Sequence, residues 1–216
     1  MTIQKTENGS RQTKAKEGTY VLSFSKKKPR KGGKEESSMR FLNIHGYHGC
    51  WNNGVYHALR KQADPLGAEV LSPVIDYDAE DAQAVFDRLS DAVECEKPDL
   101  IAGTSLGGFF AALLCGRYRT PAVLVNPCLL PFLHLPRLDY PGDIHKYMAL
   151  FDGVSAVRPA DTFVLIGGKD EIIDTHDFAH ALLDDGGHFF FFPDGFHEST
   201  TLGLDETFSG IMRSLF

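Results

Sequence analysis

The chain has little that would suit it to a metal, a nucleotide or a membrane. Its four cysteines, Cys50, Cys95, Cys115 and Cys128, form no C-x-x-C pair. They read as reduced, mostly buried thiols of a cytoplasmic protein. His and Cys nowhere cluster at ligand spacing, so no metal is expected. Residues Gly103 to Gly108 do not give G-x-G-x-x-G, and no G-x-x-x-x-G-K-[ST] is present, which argues against a nucleotide phosphate cradle. No stretch approaches the roughly 20 apolar residues of a membrane span. The N-terminus shows no continuous apolar h-region of a secretory signal peptide. No internal repeat is visible.

What is present suits one globular domain: 216 residues, 43% of them hydrophobic. Charge divides the chain. Residues 1–38 carry a net +6 and residues 39–216 a net −13. The acidic part argues against nucleic acid as a partner. The basic charge peaks in Lys26-Lys27-Lys28-Pro29-Arg30-Lys31-Gly32-Gly33-Lys34. Such a run can be a localisation or nucleic-acid patch. With so few large apolar residues around it, the better expectation for 1–38 is a solvated, disordered extension. Within it Tyr20-Val21-Leu22-Ser23-Phe24 has strand character and stands alone. Met39 opens the folded pattern and is a candidate alternative start.

From Met39 onward, strands and helices alternate. Apolar runs at Phe41–Ile44, Glu69–Leu71, Leu100–Ala102, Ala122–Val125, Phe163–Ile166 and His188–Phe192 read as strands. Helical patterns lie near Gly54–Ala63, Ala79–Cys95, Leu106–Arg117, Thr175–Leu183 and Ser199–Leu215. Asp64-Pro65-Leu66-Gly67 and Lys97-Pro98-Asp99 punctuate the connections. The alternation predicts an α/β fold of about six mostly parallel strands with helices on both faces. The segment 127–153 breaks the pattern. Pro127, Pro131, Pro136 and Pro141 alternate there with Leu129, Leu130, Phe132, Leu133, Leu135 and Leu138. It reads as a lid or binding wall beyond a strand end, or as a short helical excursion packed on the core.

Gly103-Thr104-Ser105-Leu106-Gly107 reads G-x-S-x-G between the apolar run Leu100–Ala102 and a small-residue helix. A serine on a sharp strand-to-helix turn projects its hydroxyl as a nucleophile, with the helix N-terminus aimed at the reacting centre. The simpler alternative is a βα turn whose serine caps the helix. A serine hydroxyl needs a base, and the base an acid to fix its tautomer. Such sets run Ser, Asp/Glu, His along the chain. Asp170 follows the strand Phe163–Ile166 most closely, ahead of Glu171, Asp174 and Asp177. Asp174 could instead cap the next helix. His197 follows the strand His188–Phe192, whereas His188 stands at the start of that strand and belongs to the opposite sheet edge. Asp170 and His197 thus fall outside the carboxyl ends of parallel strands, where open α/β sheets place their sites. For an oxyanion, the N–H of Leu106 is one donor. The loop His45-Gly46-Tyr47-His48-Gly49 offers Tyr47 N–H as the other, or is a glycine-rich turn without special role. His45 and His48 form an H-x-x-H pair, but no acidic or Cys set accompanies it.

These residues together resemble the small bacterial esterases of the YqiA/UPF0227 type within the α/β-hydrolase superfamily. The likeness rests on Phe41-Leu42-Asn43-Ile44-His45-Gly46-Tyr47, Gly103-Thr104-Ser105-Leu106-Gly107-Gly108 and Val123-Leu124-Val125-Asn126-Pro127. Gly168-Lys169-Asp170-Glu171 and Gly195-Phe196-His197 complete it. It covers about 39–216. It implies Ser105 as nucleophile, Asp170 as acid and His197 as base, cleaving carboxylic esters or thioesters without cofactor. One departure is visible: a Gly-Asn-His run looks typical of the family where this chain has Gly195-Phe196-His197. The expectation is a single-domain serine hydrolase acting on small-molecule esters of small or apolar acyl groups through an acyl-enzyme. An acyl thioesterase with the same triad is the near alternative, and a non-catalytic binding protein on a hydrolase scaffold the distant one.

Overall fold

Parallel strands covered on both faces read as continuous apolar runs, and the strand burial here grades accordingly from centre to edge. The computed structural model describes residues 39–183 and 186–216, together with the backbone of two short strands in the extension, β1 (Gln12–Lys14) and β2 (Tyr20–Leu22). β1 and β2 pair antiparallel. The strand-like stretch at Tyr20 therefore does not stand alone, since Gln12–Lys14 takes up its free backbone groups. The rest of 1–38, the basic run 26–34 included, lies outside the described residues.

The main body runs β3 (Arg40–Ile44), α1 (Gly54–Leu66), β4 (Glu69–Leu71), α2 (Ala82–Glu96), β5 (Leu100–Thr104), α3 (Leu106–Tyr118) and β6 (Ala122–Val125). It continues through α4 (Pro131–His134), α5 (Ile144–Phe151), β7 (Thr162–Gly167), α6 (His176–Leu183), β8 (His188–Phe192) and α7 (Leu204–Leu215). Six strands form one sheet in the order β4-β3-β5-β6-β7-β8, and every pairing is parallel. β6 and β7 are buried throughout, while the edge strands β4 and β8 are partly exposed.

Side chains alternate across the sheet with the two-residue period of a strand. Leu42, Ile44, Ile101, Leu124, Val164 and Ile166 face a core with Leu89 of α2, Phe109 and Phe110 of α3, and Tyr147 of α5. Phe41, Leu100, Ala102, Val123, Val125 and Leu165 face the other core, with Leu59 of α1 and Phe208 of α7. Helices thus cover both faces, as expected. α3 is apolar all round and its residues Leu106 to Cys115 are all buried, as such a helix requires.

Several boundaries differ from the sequence reading. α1 runs through Pro65 and ends at Gly67, which takes the left-handed conformation (φ 63°). Pro65 sits in the final turn, and its lost N–H removes only one bond at a fraying end. α2 begins at Ala82, because the Asp81 side chain accepts the Ala84 N–H at 2.9 Å and starts the helix there. Ser199–Thr201 is a separate 3₁₀ turn, and Gly203 at φ 53° separates it from α7. The cysteines are not mostly buried. Cys115 and Cys128 are buried, but Cys50 lies in an exposed loop and Cys95 on the outer side of α2, and all four are free.

β3 has β4 on one side and β5 on the other, so the chain reverses its direction of travel between them. Open α/β sheets bind ligands beyond the strand ends at such a point. α3 begins there, pressed onto the backbone. A Cβ on Gly103 would overlap the Gly107 carbonyl, and a Cβ on Gly107 would overlap the Ile44 carbonyl. Neither neighbour is a flexible side chain that could move aside. Gly107→Ala is therefore expected to lower unfolding free energy by about 3 kcal/mol in urea denaturation. Gly210→Ala, in α7 with nothing within 4 Å of its added Cβ, is expected to raise it by about 0.5–1 kcal/mol.

Candidate active site

Ser105 follows β5 directly and precedes α3, with φ 52° and ψ −118°. Its side chain makes no capping hydrogen bond, so the capping alternative fails. The backbone holds the strained residue from both ends. Ser105 N–H donates to Val125 O at 2.9 Å, and Ser105 O accepts from Gly108 N at 2.9 Å and Cys128 N at 3.0 Å.

The loop after β3 lies against this serine. A Cβ on Gly46 would come within 2.9 Å of Ser105 Cβ and 3.0 Å of the Thr104 carbonyl oxygen. His45 braces the loop from beneath. It is buried; its Nε2 accepts the Ile75 N–H at 3.0 Å, and its Nδ1–H donates to Gly46 O at 2.9 Å. Burial lowers its pKa and favours this neutral form. Both ring nitrogens are thereby engaged, which leaves His45 unfit as a metal ligand. His48 is exposed beside Asp78. Among the described residues no group of three His, Cys, Asp or Glu is arranged to hold a metal ion. The Tyr47 hydroxyl donates to Asp78 at 2.8 Å, and its ring meets Tyr140 of the 127–153 segment edge-on at 5.6 Å. Neither Tyr47 N–H nor Leu106 N–H donates to a described backbone carbonyl.

Asp170 lies just past β7 with its side chain 1% exposed. Its Oδ1 accepts the N–H groups of Ile172 and Ile173, both at 2.9 Å. His197 Nδ1 lies 2.9 Å from Oδ1 and 3.0 Å from Oδ2. His176 Nε2 lies 2.9 Å from Oδ2. Burial alone would push this carboxyl up, but the bonds from His176, His197 and Ile173 N–H outweigh it and hold the pKa well below the usual carboxylate range. The competing acids go elsewhere. Glu171 accepts the His197 N–H at 3.1 Å. Asp174 takes Arg137 at 2.9 Å rather than capping α6. His188 approaches Ala160 O, ahead of β7, at the opposite sheet edge.

Asn126, at the end of β6, joins the two halves. Its side chain donates to Phe196 O at 2.9 Å and His197 O at 3.1 Å, and its Oδ1 accepts Gly167 N–H at 2.8 Å. The loop after β8 is thus drawn back over β7 to β6. Asn126 stands between Val125 and Cys128, two of the three residues that bond the Ser105 backbone. Ser105 and the Asp170–His197 pair consequently share one end of the sheet, although no hydrogen bond joins Ser105 Oγ to His197. Sequence reasoning missed His176 and Asn126 as members of this network. No motif marks His176; Asn126 stood in a recognisable Asn-Pro step whose purpose only the crossing loop reveals.

The 127–153 segment folds as α4, a 3₁₀ turn at Leu135–Leu138, and α5. Leu129, Leu135 and Tyr147 are buried, while Leu133 and Met148 are exposed. His134 Nε2 bonds Thr175 Oγ1 at 2.9 Å, which together with Arg137–Asp174 ties the segment to the loop after β7.

The model of the family described as "Uncharacterised protein family (UPF0227)" matches residues 40–185. The chain belongs to the UPF0227 family. Among solved structures, this UPF0227 chain is similar to a protein of Xanthomonas campestris pv. campestris assigned to the alpha/beta hydrolase superfamily. The TM-score is 0.62 at 19% identity, covering 82% of this chain and 98% of that one. It is also similar to a structure described with LipS and LipT, two metagenome-derived lipolytic enzymes, with a TM-score of 0.60 at 14% identity, covering 81% and 94%. Est1E from Butyrivibrio proteoclasticus gives 0.59 at 14%, covering 83% and 90%. No curated protein matches the chain. At these identities the likeness establishes the α/β-hydrolase fold. No helix among the described residues is long and apolar enough to cross a membrane.

Asn126→Ala leaves the buried Gly167 N–H without its acceptor and puts alanine at φ 43°. It is expected to lower unfolding free energy by about 2–4 kcal/mol in urea titration. Asp170 supplies a pH dependence as well. Its folded pKa lies below its unfolded one, so its stabilisation is complete above about pH 4 and is lost as pH falls toward the folded value. Asp170→Asn is expected to flatten the acid side of stability against pH, read by denaturant unfolding at a series of pH values.

Proposed function

We propose that this UPF0227 protein is a serine hydrolase that cleaves carboxylic esters of small or apolar acyl groups through an acyl-enzyme. The observation that carries the reading is a bonded Asp170–His197 pair at the same sheet end as a serine held at φ 52°. Asp170 accepts from His197 Nδ1, which leaves Nε2 to take the proton of Ser105 Oγ as that oxygen attacks the acyl carbonyl. The N–H groups of Leu106 and Tyr47 receive the oxyanion, and the α3 N-terminus adds its dipole. His197 then returns the proton to the departing alcohol. A water molecule deprotonated by His197 releases the acyl group and restores Ser105. The absence of a Ser105–His197 hydrogen bond is compatible with this, since catalytic bonds are commonly loose before substrate arrives.

The 127–153 segment supplies the apolar wall for the acyl group. Its Tyr140 meets Tyr47 of the oxyanion loop, which couples acyl recognition to the donor that receives the charge. Thioesters fit the same chemistry. The net −13 of residues 39–216 works against strongly anionic leaving groups and so favours plain esters. The four free thiols are in keeping with a reducing, cytoplasmic setting.

Ser105→Ala is expected to reduce hydrolysis of short-chain p-nitrophenyl esters by at least about 10³-fold, with the thermal midpoint unchanged. A fluorophosphonate probe is expected to give one adduct, on Ser105. Undiminished activity in a folded Ser105→Ala protein would sink the assignment, and a folded wild type that neither hydrolyses nor labels would point to a binding scaffold.

A further inference from the structure

Asp170 is contacted by two imidazoles, and the proposed mechanism uses one. Oδ1 accepts from two backbone amides and also lies 2.9 Å from His197 Nδ1; Oδ2 lies 3.0 Å from His197 Nδ1 and 2.9 Å from His176 Nε2. His176 opens α6, and its side chain is 15% exposed. Its Nε2–H points at the carboxylate, and its buried Nδ1 has no protein partner. A half-buried imidazole, its Nδ1 shut off from solvent, that spends its one protein hydrogen bond on the acid next to a proposed base is poorly explained by packing alone.

We infer that His176 is a positioning residue that fixes the Asp170 carboxylate and limits how strongly it stabilises a positive charge on His197. The inference rests on His197 being the general base. Two effects follow from one bond. With Oδ1 held by Ile172 and Ile173 and Oδ2 by His176, the carboxylate cannot rotate, and the His197 ring is oriented by a fixed partner. Each N–H donated to Asp170 also neutralises part of its charge. An acid shared by two imidazoles stabilises the His197 imidazolium less than an acid serving one. Removing the His176 N–H would leave Asp170 to serve His197 alone and strengthen its hold on a positive charge there. The other titratable or charged groups around the pair are Glu171, which accepts the His197 N–H, and Cys128 and His134, which feel the Asp170 charge. Asp174 and Arg137 stand beyond His134. None of these donates to Asp170, so the effect is assigned to His176.

The test compares full-length wild type, His176→Phe, which removes the donor, and His176→Gln, whose amide nitrogen can reach a similar point. The readouts are the pH profile of kcat/KM on p-nitrophenyl butyrate and the histidine titrations followed by NMR of the imidazole resonances. In His176→Phe the acid limb, and the midpoint of the His197 imidazole signal, are expected to move up by about half to one pH unit, with His176→Gln returning both toward wild type. His176→Ala replaces the Phe variant if the latter fails to fold. A purely structural role would lower kcat/KM or stability without moving either midpoint, and unmoved midpoints overturn the inference. If wild type hydrolyses no ester, the serine-hydrolase reading fails, while the NMR midpoints still decide whether His176 acts on His197 through Asp170.

Discussion

The site depends first on how closely α3 approaches the ends of β3 and β5. Its opening turn rests on the Ile44 carbonyl and on Gly103, with no room for a side chain at Gly103 or Gly107. The strand must therefore turn into the helix within a single residue, and that residue takes φ 52° and ψ −118°. Because α3 is buried on every side, it cannot tilt away to relieve the contact. The same closeness brings Gly46 against Ser105, so the loop after β3 and the first turn of α3 converge on one serine. Sheet order makes this convergence possible, since β3 and β5 are neighbours flanking the point where the chain reverses.

The other half of the site is built by polar bonds instead of close packing. β8 is an edge strand, two strands away from β6, yet the loop after it must reach back toward Ser105. Asn126 draws it there through the carbonyls of Phe196 and His197, while accepting the Gly167 N–H. Asp170 then holds the imidazole from the adjacent strand end. Both anchors are buried and rich in hydrogen bonds, which gives them leverage, because an unpaired group in that setting is costly. A loop of this kind is mobile by default. Here it is tied to two neighbouring strand ends, and His197 is correspondingly fixed.

Much of this was legible in the sequence. Apolar runs of three to five residues separated by helical periods gave the strands closely, and the turn pattern around Ser105 stood out because glycine at both flanks has a steric purpose. Asp170 and His197 could be chosen by position, since each follows a strand and so lies at the same sheet end. Even the doubled glycine and the Asn-Pro step have a shared cause, as a Cβ on Gly108 would lie 2.8 Å from Pro127 Cβ. What was not legible came from contacts made across the fold. His176 is six residues from Asp170 and belongs to no spacing rule; the tight turn in which Asp170 accepts from residues 172 and 173 brings it back. The extra length of α1 past Pro65 and the pairing of Asp174 with Arg137 likewise depend on neighbours that no local pattern names.

The strain at Ser105 and the network around Asp170 answer the same difficulty in different ways. A non-glycine residue in a disfavoured backbone region costs on the order of 1–3 kcal/mol and persists only where its surroundings over-determine it. Three backbone hydrogen bonds do so at Ser105, one through its N–H and two through its carbonyl. One partner is Gly108 of α3; the other two, Val125 and Cys128, lie on either side of Asn126. The residues that keep the serine strained are therefore continuous with the residue that holds the His197 loop. A disturbance of β6 at its carboxyl end would loosen the serine turn and the histidine loop together. β6 is central and wholly buried, which makes that end of the strand a rigid place from which to position both.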